Sequence, residues 1–171
     1  MTEKTLEKMC PFFIVSGVDQ TIAFYRDKLG FESWHQQPER EPFFAIVGRD
    51  GAMLFIKSGK AEPLPNRTRN PEMRWDAYVL ANDPDALAAE FVDRGVTFSV
   101  PLKDTHDGLR GFEITDPDGY VLFFGRPRQG SNWDTTFAGS RIRAKIYLSE
   151  TMPLRYTSRS ASLSPVSFRR R

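Results

Sequence analysis

Few side chains in this chain of 171 residues could carry out covalent or metal chemistry: one cysteine, Cys10, and two histidines, His35 and His106. A cysteine nucleophile needs an activating base, and only those two histidines could serve, so Cys10 reads as a small buried filler. His106 falls in Lys103-Asp-Thr-His-Asp-Gly, a turn-like loop, and His35 follows Trp34 in a strand-like stretch. Asp116-Pro-Asp-Gly119 has the composition of a turn that sets the fold, not of a phosphate cradle. A lone cysteine also excludes an intrachain disulfide and a thiolate metal cluster. That usage, with no signal-like or membrane-length apolar run, leads us to expect a soluble, cytoplasmic protein that is not membrane-bound.

The elements that must position these residues repeat. Val15-Ser-Gly-Val-Asp19-Gln-Thr-Ile22-Ala23-Phe-Tyr25 and Ala81-Asn-Asp-Pro-Asp85-Ala-Leu-Ala88-Ala89-Glu-Phe91 correspond at a shift of 66. Each passes from an apolar strand-like run through a polar turn into a helix. The first helix carries Val18, Ile22, Tyr25 and Leu29 on one stripe. The second carries Leu87, Ala88 and Phe91, with Asp83 as N-cap and Pro84 at its first position. Gly30 and Gly95 stand where each helix should stop. Further on, Arg49-Asp-Gly51-Ala-Met53-Leu54-Phe55 answers Pro117-Asp-Gly119-Tyr-Val121-Leu122-Phe123 at a shift of 68, and each Asp-Gly marks a hairpin. Both halves therefore read strand, helix, strand, strand, strand.

A proline-rich connector, Ser58 to Met73, runs between the halves. The nominal charge is +2, but it is unevenly spread. Residues 130–171 hold eight basic and two acidic side chains, which leaves the preceding 129 residues with 16 basic and 20 acidic. This Ser/Arg-rich tail has no apolar period and no nucleic-acid motif, so we expect it to be largely disordered and expect no nucleic-acid partner.

VSGVDQTIAFYRDKLGF followed by GFEITDPDGYVLFFGRP resembles the vicinal oxygen chelate superfamily of glyoxalase I, extradiol dioxygenases, and fosfomycin- and bleomycin-resistance proteins. The resemblance covers about residues 9 to 128. It implies an α+β fold in which two βαβββ modules, about 9–57 and 74–128, form a cup-shaped mixed sheet with helices on the outer face. The domain then spans 1–129 and the tail 130–171. By the same resemblance, metal-binding members would place ligands at Cys10, Phe55, Asp76 and Phe123. Phenylalanine offers no donor, so no metal and no cofactor is expected.

In place of a metal, strand alternation and the expected hairpin registers aim other side chains into the cup. If Thr115 faces Tyr120 and Val47 faces Ala52, then Phe112 pairs with Phe123 and Phe44 with Phe55. The expected ligand-binding set is Phe12, Phe44, Phe55, Tyr78, Phe112 and Phe123, with Asp76 and Arg110 as its charges and Trp34 on the rim; no residue is assigned a catalytic role. Phe13, Val15, Leu54, Ile56, Val79, Leu122 and Phe124, of opposite parity, are the expected core. The bland reading of each aromatic is core packing, and of Asp76 an ion pair with Arg110. The resemblance thus implies a homodimer of the bleomycin-resistance type that sequesters a planar aromatic compound, with Asp76 favouring a cationic one. Two rivals are a metal-dependent lyase, isomerase or dioxygenase using Asp76, Cys10 or His35, and an interaction module presenting Trp34 and Trp75.

Overall fold

The computed structural model describes Thr5 and residues 8–131. The expected tail lies outside the described residues from 132 onward.

The first module runs β1 (Phe12–Ile14), α1 (Val18–Leu29), β2 (Glu32–Gln37), β3 (Phe44–Arg49) and β4 (Ala52–Lys57). The second runs β5 (Trp75–Leu80), α3 (Pro84–Asp93), β6 (Phe98–Asp104), β7 (Leu109–Thr115) and β8 (Val121–Pro127). The proline-rich connector between them holds a single helical turn, α2 (Asn66–Arg69). The strands form two four-stranded sheets, β1-β4-β3-β2 and β5-β8-β7-β6, each with its first strand parallel to its last and its other pairs antiparallel. This is the expected α+β architecture.

The helix signals act as expected. Gly30 ends α1 in the left-handed region at φ 70°, where a Cβ is disfavoured. Asp83 caps α3 by accepting from the amides of Asp85 and Ala86, and Pro84 begins the helix. Val18, Ile22, Tyr25 and Leu29 are all buried, as are Phe13, Val15, Leu54, Ile56, Leu122 and Phe124. Val79 is half-buried and packs against that core.

Both hairpin registers differ from expectation, with unequal consequences. Asp50 and Gly51 alone close the first hairpin, so Arg49 rather than Val47 faces Ala52. The shift is two residues, so every side chain keeps its face and Phe44 stays on the side of Phe55. In the second hairpin five residues, Asp116 to Tyr120, make the turn, and Thr115 faces Val121. This one-residue slip reverses β7: Glu113, not Phe112, stands opposite Phe123. The cause lies inside the turn. One oxygen of the Asp116 carboxylate accepts from the backbone amides of Asp118 and Tyr120, while the other lies 3.4 Å from the Tyr25 hydroxyl. The Asp116 amide in turn donates to the Tyr120 carbonyl, extending the turn by one residue.

That turn also joins the modules. Asp118 accepts from the Ser16 amide at 2.9 Å, and the Tyr120 hydroxyl donates to the Ile14 carbonyl at 2.7 Å. From the other side, Arg49 at the end of β3 reaches both the Leu29 carbonyl and the Glu90 carboxylate on α3. Each module's second hairpin therefore grips the other module.

Burial pushes Asp116 up to about 7, with the nearby Asp118 charge adding to the rise and the Tyr120 and Asp118 amides opposing it. A carboxyl whose folded value exceeds its unfolded one contributes stability below the unfolded value and loses it as pH climbs through the folded one. Thermal melts should therefore show the protein more stable near pH 5.5 than near pH 8. Asp116→Asn, which keeps the acceptor oxygen, should flatten that difference; an unchanged pH slope in the variant would contradict the assignment.

Candidate functional site

Each sheet packs one face on the core and leaves the other open. On the first module's open face Phe12 stacks on Phe55 with ring centres 6.0 Å apart, and Phe44 lies 6.0 Å from Phe55. His35 meets Phe44 edge-on at 6.2 Å. A bulge between Ser33 and His35 brings Trp34 onto the same side: a Cβ on Gly48 would lie 2.3 Å from the Trp34 ring, so the indole covers that glycine. Phe12 remains 53% exposed and Trp34 46%. Of the expected residues, Phe12, Phe44 and Phe55 share this face as alternation required, and Trp34 reaches it through the bulge.

On the second module's open face a bulge between Trp75 and Ala77 alters the pattern. Trp75, instead of Asp76, joins Tyr78 and Phe123. The Trp75 indole stacks on the Phe123 ring at 4.2 Å, and Tyr78 lies 5.4 Å from Phe123. Phe123 is nonetheless only 2% exposed. Its ring lies down across Gly111 and Gly125, where added Cβ atoms would stand 2.5 and 2.6 Å from it. Only glycine permits that approach, and Trp75 then covers the outer surface of the ring.

The charged residue of this face is Glu113, which the observed β7 register places opposite Phe123. Glu113 is 3% exposed, and its carboxylate is fully engaged. Arg74 donates to both oxygens at 2.7 and 2.8 Å, and the Trp75 indole N–H donates at 2.7 Å. The bidentate pair offsets the cost of burying the charge and holds Trp75 in place over Phe123. A cavity of about 980 Å³ opens above this arrangement, reached by Lys103, His106 and Asp107 from the end of β6 and the loop after it. Every described residue lining it belongs to the second module or the connector before it. Burial and then the Asp107 charge raise the Tyr78 hydroxyl above its ordinary range.

Three expected site residues are corrected. Phe112 is fully buried between α3 and the sheet, 5.8 Å from Phe91 and 5.6 Å from Phe124, because the β7 register turns it inward. Arg110 shares that inward parity. It pairs with Asp85 on α3 and with Asp104 at 3.0 Å, so the expected pair with Asp76 does not form. Asp76 sits at the β5 bulge, where its oxygens accept from the Asn66 amide at 2.7 Å and the Val121 amide at 2.8 Å. It ties the connector and β8 to β5 and does not project as a free charge. Tyr78 lies at the border of the face and lines a different opening, between the modules.

The positions where the resemblance would put a metal do not fit one. Phe55 and Phe123 have no donor atom, and both oxygens of Asp76 are committed to backbone amides. Among the described residues, no three His, Cys, Asp or Glu side chains converge elsewhere. No described helix is long and apolar enough to cross a membrane.

A model of the Glyoxalase/Bleomycin resistance protein/Dioxygenase superfamily matches residues 10–124, and the chain belongs to that superfamily. No curated protein matches it. Among solved structures it is similar to the bleomycin-binding protein of bleomycin-producing Streptomyces verticillus, complexed with copper(II)-bleomycin. That match has 23% identity and a TM-score of 0.56, covering 74% of this chain and 100% of the other. A glyoxalase-related enzyme from Clostridium phytofermentans gives 16% identity, a TM-score of 0.56 and coverages of 72% and 97%. TioX from Micromonospora sp. ML1 gives 17%, 0.54, 70% and 95%. At these identities the likeness is one of fold.

A Cβ on Gly111 would meet the Phe124 carbonyl oxygen at 2.4 Å as well as the Phe123 ring at 2.5 Å, so Gly111→Ala should tilt the ring, loosen the Trp75 stack and cost about 1–3 kcal/mol in denaturant unfolding. An unchanged midpoint together with an unchanged Trp75 environment in near-ultraviolet circular dichroism would show that the close approach is not needed.

Proposed function

We propose that the protein binds a planar aromatic small molecule on the second module's open face and sequesters it without transforming it. The observation that carries this reading is the Trp75–Phe123 stack, pinned by the Arg74–Glu113 pair and facing a cavity large enough for a drug-sized compound. Stacking faces supply affinity without any reactive group, and sequestration needs nothing further. The family's metal chemistries lack their donor set at the corresponding positions.

A cationic ligand is still favoured, on different grounds from those the sequence suggested. Asp76 is committed to the backbone, but the outer face of the Trp75 indole attracts cations, and Glu72 and Asp107 stand on the same cavity wall as Arg69 and Lys103. Bleomycin is a suitable first probe because it is the ligand named for the Streptomyces verticillus relative.

The reading includes a homodimer. The first module's open face exposes Phe12 and Trp34, while the second module's cavity takes no described wall from the first. Pairing two chains so that one chain's first module roofs the other's cavity would cover both surfaces at once. Under this reading antibiotic resistance by drug capture is the biological role, exercised in the cytoplasm.

Calorimetric titration of the full chain with bleomycin and with planar aromatic cations should give saturable heat. Trp75→Leu should weaken binding by about tenfold while leaving the fold intact. Sedimentation should give twice the chain mass. No heat with any compound of the panel, or equal affinity in the variant, would overturn the reading.

A further inference from the structure

The two modules share one plan, so each position in the seam between them has a counterpart, and the two halves of the seam are not alike. Where β1 meets the β7–β8 turn, the space is filled. Phe13 stacks on Tyr120 with ring centres 4.1 Å apart, and the Tyr120 hydroxyl donates to the Ile14 carbonyl at 2.7 Å.

At the internal shifts of 66 and 68, the counterparts of Phe13, Ile14 and Tyr120 are Val79, Leu80 and Ala52. Both rings are therefore missing where β5 meets the β3–β4 turn. A cavity of about 710 Å³ lies there, with Ala52, Met53, Val79, Leu80 and Leu87 among its walls and the Arg49–Glu90 ion pair beside it. No residue lines both this cavity and the one above Phe123. Protein interiors pack densely, and a seam filled by two aromatic rings on one side and left open on the other is shaped for an occupant.

We propose that this opening is a second small-molecule site, separate from the open-face site, for a neutral two-ring aromatic compound bearing a hydroxyl. Such a ligand takes the places that Phe13 and Tyr120 occupy on the filled side, its O–H directed at the Leu80 carbonyl as that of Tyr120 is at Ile14. The charged groups on its walls are already engaged, Arg49 with Glu90 and Asp50, and Asp83 with the α3 amides that it caps, so a neutral body suits the opening better than a charged one.

The test uses the full chain and 2-naphthol, followed by thermal shift and calorimetry. Wild type should show a saturable rise in Tm with 2-naphthol, because a ligand that binds only the folded chain stabilises it. Ala52→Tyr restores the missing ring from the turn, and Val79→Phe restores it from β5. Each should raise the ligand-free Tm and weaken 2-naphthol binding at least about tenfold. If one variant does not fold, the other decides. Trp75→Leu, in the open-face cavity, should leave the 2-naphthol response unchanged. No saturable response in wild type, a response retained in the filled variants, or one lost in Trp75→Leu would overturn the proposal. Failure of the open-face reading in the bleomycin titration would leave this outcome untouched, so the two are separable.

Discussion

A buried carboxylate in a turn decides which side chains of the second module face outward. Asp116 gathers the amides of Asp118 and Tyr120 onto one oxygen, and this sets a five-residue turn instead of four. Side chains on a strand alternate, so the added residue exchanges the two faces of β7 relative to β8. Glu113 is carried to the open side beside Phe123, while Phe112 and Arg110 are turned toward α3. The same turn reaches across to Ser16, Thr21 and Tyr25, so the interaction that fixes the register also fastens the modules together.

From that register the rest of the open face follows. Glu113, once outward and nearly buried, requires compensation, and Arg74 and the Trp75 indole provide it. The β5 bulge brings Trp75 to the correct side and directs Asp76 to the amides of Asn66 and Val121. Glycines at 111 and 125 let Phe123 lie flat, and the indole stacks on what remains of its surface. Charge pairing, bulge and glycine floor together produce a rigid aromatic platform whose polar groups are already satisfied. Such preorganisation suits recognition, because little entropy is lost when a planar compound docks.

Much of the architecture was legible in the sequence because its signals are local. Asp83 with Pro84 starts α3, Gly30 stops α1, and the apolar stripes place both helices on their sheets. The first module's open-face aromatics were legible for a less secure reason: a register error of two residues preserves faces. The second module's were not. Period-two reasoning assumes unbroken alternation, and a bulge at Asp76 and one extra turn residue each violate it. One signal was available. An aspartate opening Asp-Pro-Asp-Gly tends to fold its side chain onto amides two or more residues ahead, which points to a longer, self-bonded turn. Glu113, charged within the apolar run Gly-Phe-Glu-Ile, would then have marked the outward face of β7.

The claim on which the account turns is that ligand meets the Trp75–Phe123 platform, and the Trp75 indole N–H, bonded to Glu113, reports on it directly. Heteronuclear NMR of the labelled full chain during addition of a planar aromatic cation such as 9-aminoacridine tests it most directly. If ligand docks on the platform, the Trp75 indole resonance and the amides of Gly111, Glu113 and Phe123 shift first and saturate together. Saturating shifts confined to other parts of the chain, with the Trp75 indole unmoved, would contradict it.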